Sequence, residues 1–412
     1  MRVPILAKFA ARTLGRNVRR TLLSVVGVGI GCGIAVFMVA FMRGSSQIRI
    51  RSIAESGFGH ARIAHNDWAR TRDNDLRLVD WEGELAAARQ ARNVAVAAPH
   101  ARTTALLAFG TRVQGVEMTG VDPVAETKIN RLVRAIGSGR YLEPGESGVT
   151  VVGSTIAERL EVEVGDPLFL TAVGASGDME YAMLSIVGII DTGSRDMDAT
   201  ICHVTLEEVE RISGRVGAGE ISILLENPLL LERTVSELSS VVPEGDEVVT
   251  WKEVVPQQAA DYESDWAFMN MLSGIVVVVA VLGIAGAQLT AILERRREFA
   301  VLIALGMKGR QVIGLIFLEA VTMGVLGAVA GLALSFPLVY RTATAGWDIT
   351  KLMGDFTISG VLFEPVFYSE MGLWMIPLAL VVSMVSMLFA AVYPAWYALR
   401  IDPTSALSLR EA

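Results

Sequence analysis

The sequence predicts a membrane α-helical protein with four transmembrane helices and a large α+β extracytoplasmic domain between helices 1 and 2. Three observations predict it. The chain is 52% hydrophobic with a mean hydropathy of +0.46, which implies membrane spans. Its apolar residues gather into long runs, one of them, 268–293, without a charge. Its charge is segregated: residues 44–265 carry 20 basic and 35 acidic residues, while the remainder carries 16 and 9. A polar, acidic block is thus set among basic, apolar segments, and Lys and Arg favour the cytoplasmic side of a membrane.

Residues 1–20 hold six basic residues and no acid, and read as a basic helix on the inner membrane face. The apolar run 21–43 follows as the first span. A signal peptide competes with this reading, but the run is long and lacks a small-x-small cleavage site. Gly27/Gly31 and Gly29/Gly33 are each four apart, so each pair shares a helix face and permits close helix approach. Residues 44–265 form the outer domain, with 44–56 continuing the first helix. Glu82 to Arg92 and Gly153 to Leu160 read as helices. Val149–Val152, Leu168–Thr171 and Leu184–Ile190 read as strands, with a hairpin tip at Ala175–Asp178. Gly120–Pro123 reads as a turn.

The second span covers 266–293, with Trp266 at its outer edge. A cytoplasmic stretch, 294–310, leads to the third span, 311–340. An outer loop, 341–371, and a fourth span, 372–399, precede the tail 400–412. Four spans place both termini inside, and every basic cluster then falls on the cytoplasmic side. Glu319 is the one acid within a span, a candidate for function by default, or for pairing with a nearby Arg.

The outer domain offers no catalytic pattern. His60, His65, His100 and His203 lack metal-ligand spacing, so no metal is expected. Asp196, Asp198, Glu207, Glu208 and Glu210 read as a solvated face. No Gly-x-x-x-x-Gly-Lys-Ser/Thr loop is present, so the chain does not bind ATP through a P-loop. Its acidic balance argues against nucleic acid. Cys32 falls in an apolar run and Cys202 in the polar block, so no internal disulfide is expected.

The stretch 294–320 holds the most specific pattern. Glu294, Arg295 to Arg297 and Glu298 precede an apolar segment ending Ala304-Leu305-Gly306. Gly309-Arg310-Gln311 and Leu318-Glu319-Ala320 follow. Near the C-terminus stand Tyr393-Pro394-Ala395 and Ile401-Asp402-Pro403-Thr404-Ser405-Ala406-Leu407. These motifs, in this order, resemble the FtsX-like (MacB-type) ABC transporter permeases. The Gly59-His60 segment is similar to the lipoprotein-releasing, LolC/LolE-type branch.

The resemblance implies a non-catalytic bacterial inner-membrane subunit with a periplasmic MacB-like domain. It implies a dimer with an identical or homologous second permease copy, and two copies of an ABC ATPase that hold ATP and Mg. Lipid surrounds it, and a lipoprotein and a periplasmic carrier are further partners on the LolC/LolE branch. Arg297, Glu298, Phe299, Leu302, Ile303, Leu305 and Gly306 would form the coupling helix on the ATPase. Val36, Phe37, Ala40, Phe41, Met269, Leu272, Ile275 and Val276 would line an apolar substrate cavity. The expected function is release of lipoproteins by mechanotransmission. Peptide or antibiotic export, control of a cell-wall hydrolase, and a sensor or scaffold role are the alternatives.

Overall fold

The computed structural model describes residues 18–294, 301, 307–348, 356–358, 361–363 and 366–399. The chain divides into two compact units. The first gathers residues up to Ser46, Ser264–Trp347 and Phe367 onward; the second holds Gln47–Glu263 and Asp348–Val366.

Four long helices run through the first unit: α1 (Val18–Ala54), α7 (Pro256–Glu294), α8 (Gly309–Ala345) and α9 (Met375–Leu399). Among the described residues, three helices are long and apolar enough to cross a membrane, at Val25–Ala54, Gly309–Ala345 and Met375–Tyr397. Helix α1 is unbroken to Ala54, and α7 begins at Pro256, a position where proline's fixed φ suits a helix start. Both helices therefore begin or end within the second unit.

The second unit is built on one ten-stranded mixed sheet. Its open flank runs β10 (Asp246–Thr250), β1 (Ala61–His65), β9 (Glu220–Leu225) and β2 (Val94–Phe109), all antiparallel. Helices α2 (Trp81–Gln90) and α6 (Leu231–Ser239) contribute Leu85, Ala88 and Leu238 to the apolar core over this flank. Beyond β2 the strands close on themselves. β3 (Arg112–Val121), β8 (Cys202–Thr205), β5 (Val149–Gly153), β7 (Met179–Ile190) and β6 (Pro167–Val173) pair in sequence, and β6 returns to β2. The result is a six-stranded ring around Leu107, Met118, Val152, Leu168, Leu170 and Leu184. Helices α4 (Ser154–Leu160) and α5 (Leu206–Ser213) add Ile156 and Val209 to that core. β4 (Ile136–Gly139) pairs outside the ring, on β7.

Local chemistry explains the joints. Val173 pairs with Met179 across the tip Gly174–Asp178, where Gly177 takes φ +84°, the left-handed region glycine enters freely. Gly120–Pro123 is a strand-to-helix junction rather than a free turn. Gly120 and Val121 finish β3, and the Asp122 carboxylate accepts the N–H groups of Val124 and Ala125 to cap α3 (Pro123–Ile129). The acidic residues read as one solvated face divide. Asp196 and Glu207 are exposed, but Asp198 and Glu208 are buried. Asp198 accepts hydrogen bonds from Thr192 and Ser154, and Glu208 from the Gly148 N–H and Arg211. Backbone donors in the loops beside strands need acceptors, and these two carboxylates supply them for Thr192 and Gly148.

Candidate functional site

The membrane unit is held by close contact between small residues. A methyl group added at Gly29 would lie 2.8 Å from the Ala330 Cβ, and one at Gly33 would lie 3.1 Å from the Gly331 carbonyl. On the facing helix, Gly327 leaves no room beside Val28, and an added Cβ at Gly331 would stand 2.8 Å from the Cys32 sulfur. Helix α9 joins through the Ser383 hydroxyl, which donates to the Gly324 carbonyl at 2.6 Å, and through Ala379, whose carbonyl accepts from the Cys32 thiol at 3.4 Å. Of the glycines in the first span, Gly29 and Gly33 meet α8, Gly31 is buried and Gly27 faces open space. Sequence reading missed the facing glycines, 324, 327 and 331, although their spacings of three and four were visible.

One end of this bundle carries a strap. The Glu370 N–H donates to the Ala40 carbonyl at 2.8 Å, and Ser369 meets Thr342 at 2.7 Å. Gly44 lies directly against the backbone of Tyr368 and Glu370. Arg43 stands 4.3 Å from the Trp374 ring centre and 3.8 Å from Glu370. Phe41 packs against Phe37, Trp347 and Phe367. The residues read as cavity lining thus separate into two sets. Val36 and Ala40 are fully buried in a core with Ala328, Val339, Met375 and Ala379, and Phe37 and Phe41 are half-buried. On α7, Met269 and Val276 are half-buried while Leu272 and Ile275 are exposed. Glu319 is buried and has a polar partner. The coupling residues Arg297, Glu298, Phe299, Leu302, Ile303, Leu305 and Gly306 lie outside the described residues.

Within the second unit, the ends of α1 and α7 share one apolar cluster. Ile53 and Ala259 are buried against Trp251, with Ile50, Phe58, Val255 and Tyr262 around them. The Trp251 and Tyr262 rings meet edge to face at 5.8 Å. Backbone bonds pin the same joint. The Gly59 N–H donates to the Ala54 carbonyl, the His60 N–H to Ile223 and the Trp251 N–H to His60. Gly59 has φ +72°, and a Cβ there would be 2.8 Å from both the Ala61 carbonyl and the Ile223 nitrogen. Only glycine makes this exit from α1 into β1.

Beside the joint lies a buried ionic network. Glu220 is bonded to Arg62 at 2.6 Å and to Arg102 at 3.0 Å. His100 lies 2.6 Å from Glu126, which also accepts from Asn130 at 2.8 Å. Burial alone would raise both carboxyls. The guanidinium groups of Arg62 and Arg102 overcome it at Glu220, and the His100 ring overcomes it at Glu126, holding each near about 2. Burial also lowers His60 and His203 to about 4. Glu220, Arg62 and Arg102 are bonded across strands, and His100, Glu126 and Asn130 to one another, so the network ties the strands together. Among the described residues, no group of three His, Cys, Asp or Glu could hold a metal ion.

The profile of the FtsX-like permease C-terminal domain matches residues 270–403, and that of the MacB-like periplasmic core domain matches residues 21–241, more than half of the chain. The chain belongs to the FtsX-like, MacB-type permease family. Its relatives include the lipoprotein-releasing system transmembrane protein LolC of Xylella fastidiosa strain Temecula1, 24% identical over 94% of this chain and 93% of that protein. They also include the macrolide export ATP-binding/permease protein MacB of Brucella abortus strain 2308, 22% identical over 84% of this chain and 54% of that protein. The crystallised periplasmic region of MacB from Actinobacillus actinomycetemcomitans covers 50% of this chain and 94% of its own, at 10% identity and a TM-score of 0.36. The permease is therefore a membrane subunit of the ABC transporter kind. The MacB-like match takes in most of the second unit, and the shared cluster at Trp251 is where the ends of two long helices join that unit's core.

Proposed function

We propose that this permease couples ATP hydrolysis by a separate ATPase to movement of its outer domain, and that its cargo is lipoprotein drawn from the inner membrane. One observation carries the mechanical part: α1 and α7 are unbroken helices whose outer ends are built into the ectodomain core at Trp251. A helix is satisfied internally along its backbone and transmits displacement without unfolding. In this reading α7 is a fourth span, both termini are cytoplasmic, and two permease copies pair over two ATPases with ATP and Mg. Arg297 to Gly306 docks on the ATPase, with Phe299, Leu302, Ile303 and Gly306 filling its groove and Glu298 meeting a basic group at the rim. Of the eight cavity residues, Phe37, Phe41, Met269, Leu272, Ile275 and Val276 face acyl chains once two copies meet, while Val36 and Ala40 support them from the bundle core. Similarity to LolC over nearly the full length of both chains supports lipoprotein as cargo.

The test is Leu302→Asp. An apolar anchor contributes about 1.5–3 kcal/mol, and the aspartate also places a charge in a desolvated contact. The variant should insert and dimerise normally, yet lose its ATPase in pull-down and lose transport. Normal ATPase binding and transport would reduce the stretch to a turn. Mass spectrometry of the purified wild type should find bound lipoprotein. A bound peptide or macrolide instead would favour the export activity named for the MacB relatives.

A further inference from the structure

A cavity of about 450 Å³ opens in the second unit beside the outer end of α1. Its wall includes Ile50, Arg51, His60, Leu224, Leu225 and Leu229. β1 begins at Ala61, so its pairing with β9 reaches no further along β9 than Ala61 opposite Ile223. The next N–H of β9 on that side, that of Leu225, donates to Nδ1 of His60 at 3.1 Å. An imidazole that accepts at Nδ1 carries its proton on Nε2 when neutral. His60 is only 2% exposed, and its Nε2 is buried without a hydrogen-bond partner. The ring therefore stands where a strand would continue, and presents an N–H donor in its place.

We propose that this cavity binds an uncharged, extended polypeptide segment, whose backbone carbonyl accepts from His60 Nε2 and whose apolar side chain rests on Ile50, Leu224 and Leu229. Charge favours a neutral ligand. Arg51 is paired with Glu55 at 2.6 Å, and Glu226 adds a further negative group to the lining, which opposes phosphate and carboxylate. Position favours a peptide over a membrane lipid. Gln47 and Arg51 follow the apolar run ending at Met42 by five and nine residues, about 8 and 14 Å along a helix. The headgroup layer is only about 5–8 Å deep on each side. The Leu229 side chain, 80% exposed at the mouth, supplies an apolar lip. Strand-like recognition of this kind takes affinity from the backbone and selectivity from alternate side chains.

The test uses the full permease in detergent, without ATPase or cargo, so its result is independent of the transport reading. The probe is acetyl-Gly-Leu-Ser-Ala-amide with a fluorinated leucine, followed by fluorine NMR; monoolein is the lipid arm. The peptide should bind saturably at one site per chain. His60→Asn keeps an acceptor for Leu225 but, being shorter, holds no donor at the Nε2 position, so it should weaken binding at least fivefold with the unfolding midpoint unchanged. Leu229→Asp, at the exposed lip, should weaken it about threefold. Equal peptide binding by wild type and both variants overturns the site. Saturable monoolein binding with no peptide binding overturns the peptide assignment.

Discussion

The two units of this permease solve the packing problem in opposite ways. In the helix bundle, Gly29, Gly33, Gly327 and Gly331 bring backbones together, and the fit is decided by missing methyl groups. In the outer domain, large apolar chains fill a closed ring, and charge is buried beside it as Arg62 and Glu220, with the half-buried Arg102 alongside. The difference follows the solvent. Lipid gives helices no hydrophobic reason to associate, so close van der Waals contact between small residues does the work. Water drives large side chains inward, and the strands that carry them can hold a charge only when it is fully paired.

The largest effect of a single substitution should come from breaking the buried pairing. Glu220→Ala strands the buried Arg62 guanidinium, while Arg102 keeps Glu117, and should cost about 3–5 kcal/mol, read as a loss of hydrogen-exchange protection across β1, β2 and β9 with the helix bundle unaffected.

Acid should act on the outer domain in two stages. The fold keeps His60 and His203 neutral, so below an unfolded value near 6.5 only the unfolded chain takes up their protons. Stability should fall as pH drops to their folded values of about 4, by about 1.4 kcal/mol per pH unit for each ring. Glu126 and Glu220 stabilise the fold above an unfolded value near 4.3, and that contribution is lost as pH falls toward about 2. Exchange protection measured from pH 7 to 3 should decline in this order, and His203→Gln should flatten the first stage.

Substitution of the bundle should be felt next. Gly331→Val drives a side chain into Cys32 and should cost about 1–3 kcal/mol, seen as a lower melting temperature in detergent and weakened protection of α1 and α8. Gly27→Ala sharpens the contrast, because nothing lies within reach of its added methyl group. It should be neutral or stabilising by up to about 1 kcal/mol.

What could be read from the sequence was what is local. Apolar runs marked the helices, and the hairpin tip at Gly177 announced itself through turn chemistry. The ring could not be read, because its closure depends on β6 returning to β2, with Leu107 opposite Leu170. Nor could the ionic network, since Arg62 and Glu220 are 158 positions apart. A charged residue inside an otherwise apolar strand, as Arg62 is between Ala61 and Ile63, was the available sign. Among the glycines, the four-residue spacing was legible, but only the fold distinguishes Gly29, in contact with α8, from Gly27, which touches nothing.

The strand ring also governs how copies of this domain can meet. Its six members have both sides occupied, and the described sheet ends only at β10 and β4. β10 carries Asp246 and Glu247, and β4 is four residues long with Gly137 and Gly139. Acidic or very short margins discourage strand addition from another chain. Crowded side by side in a membrane, these domains are guarded against fusing into a common sheet.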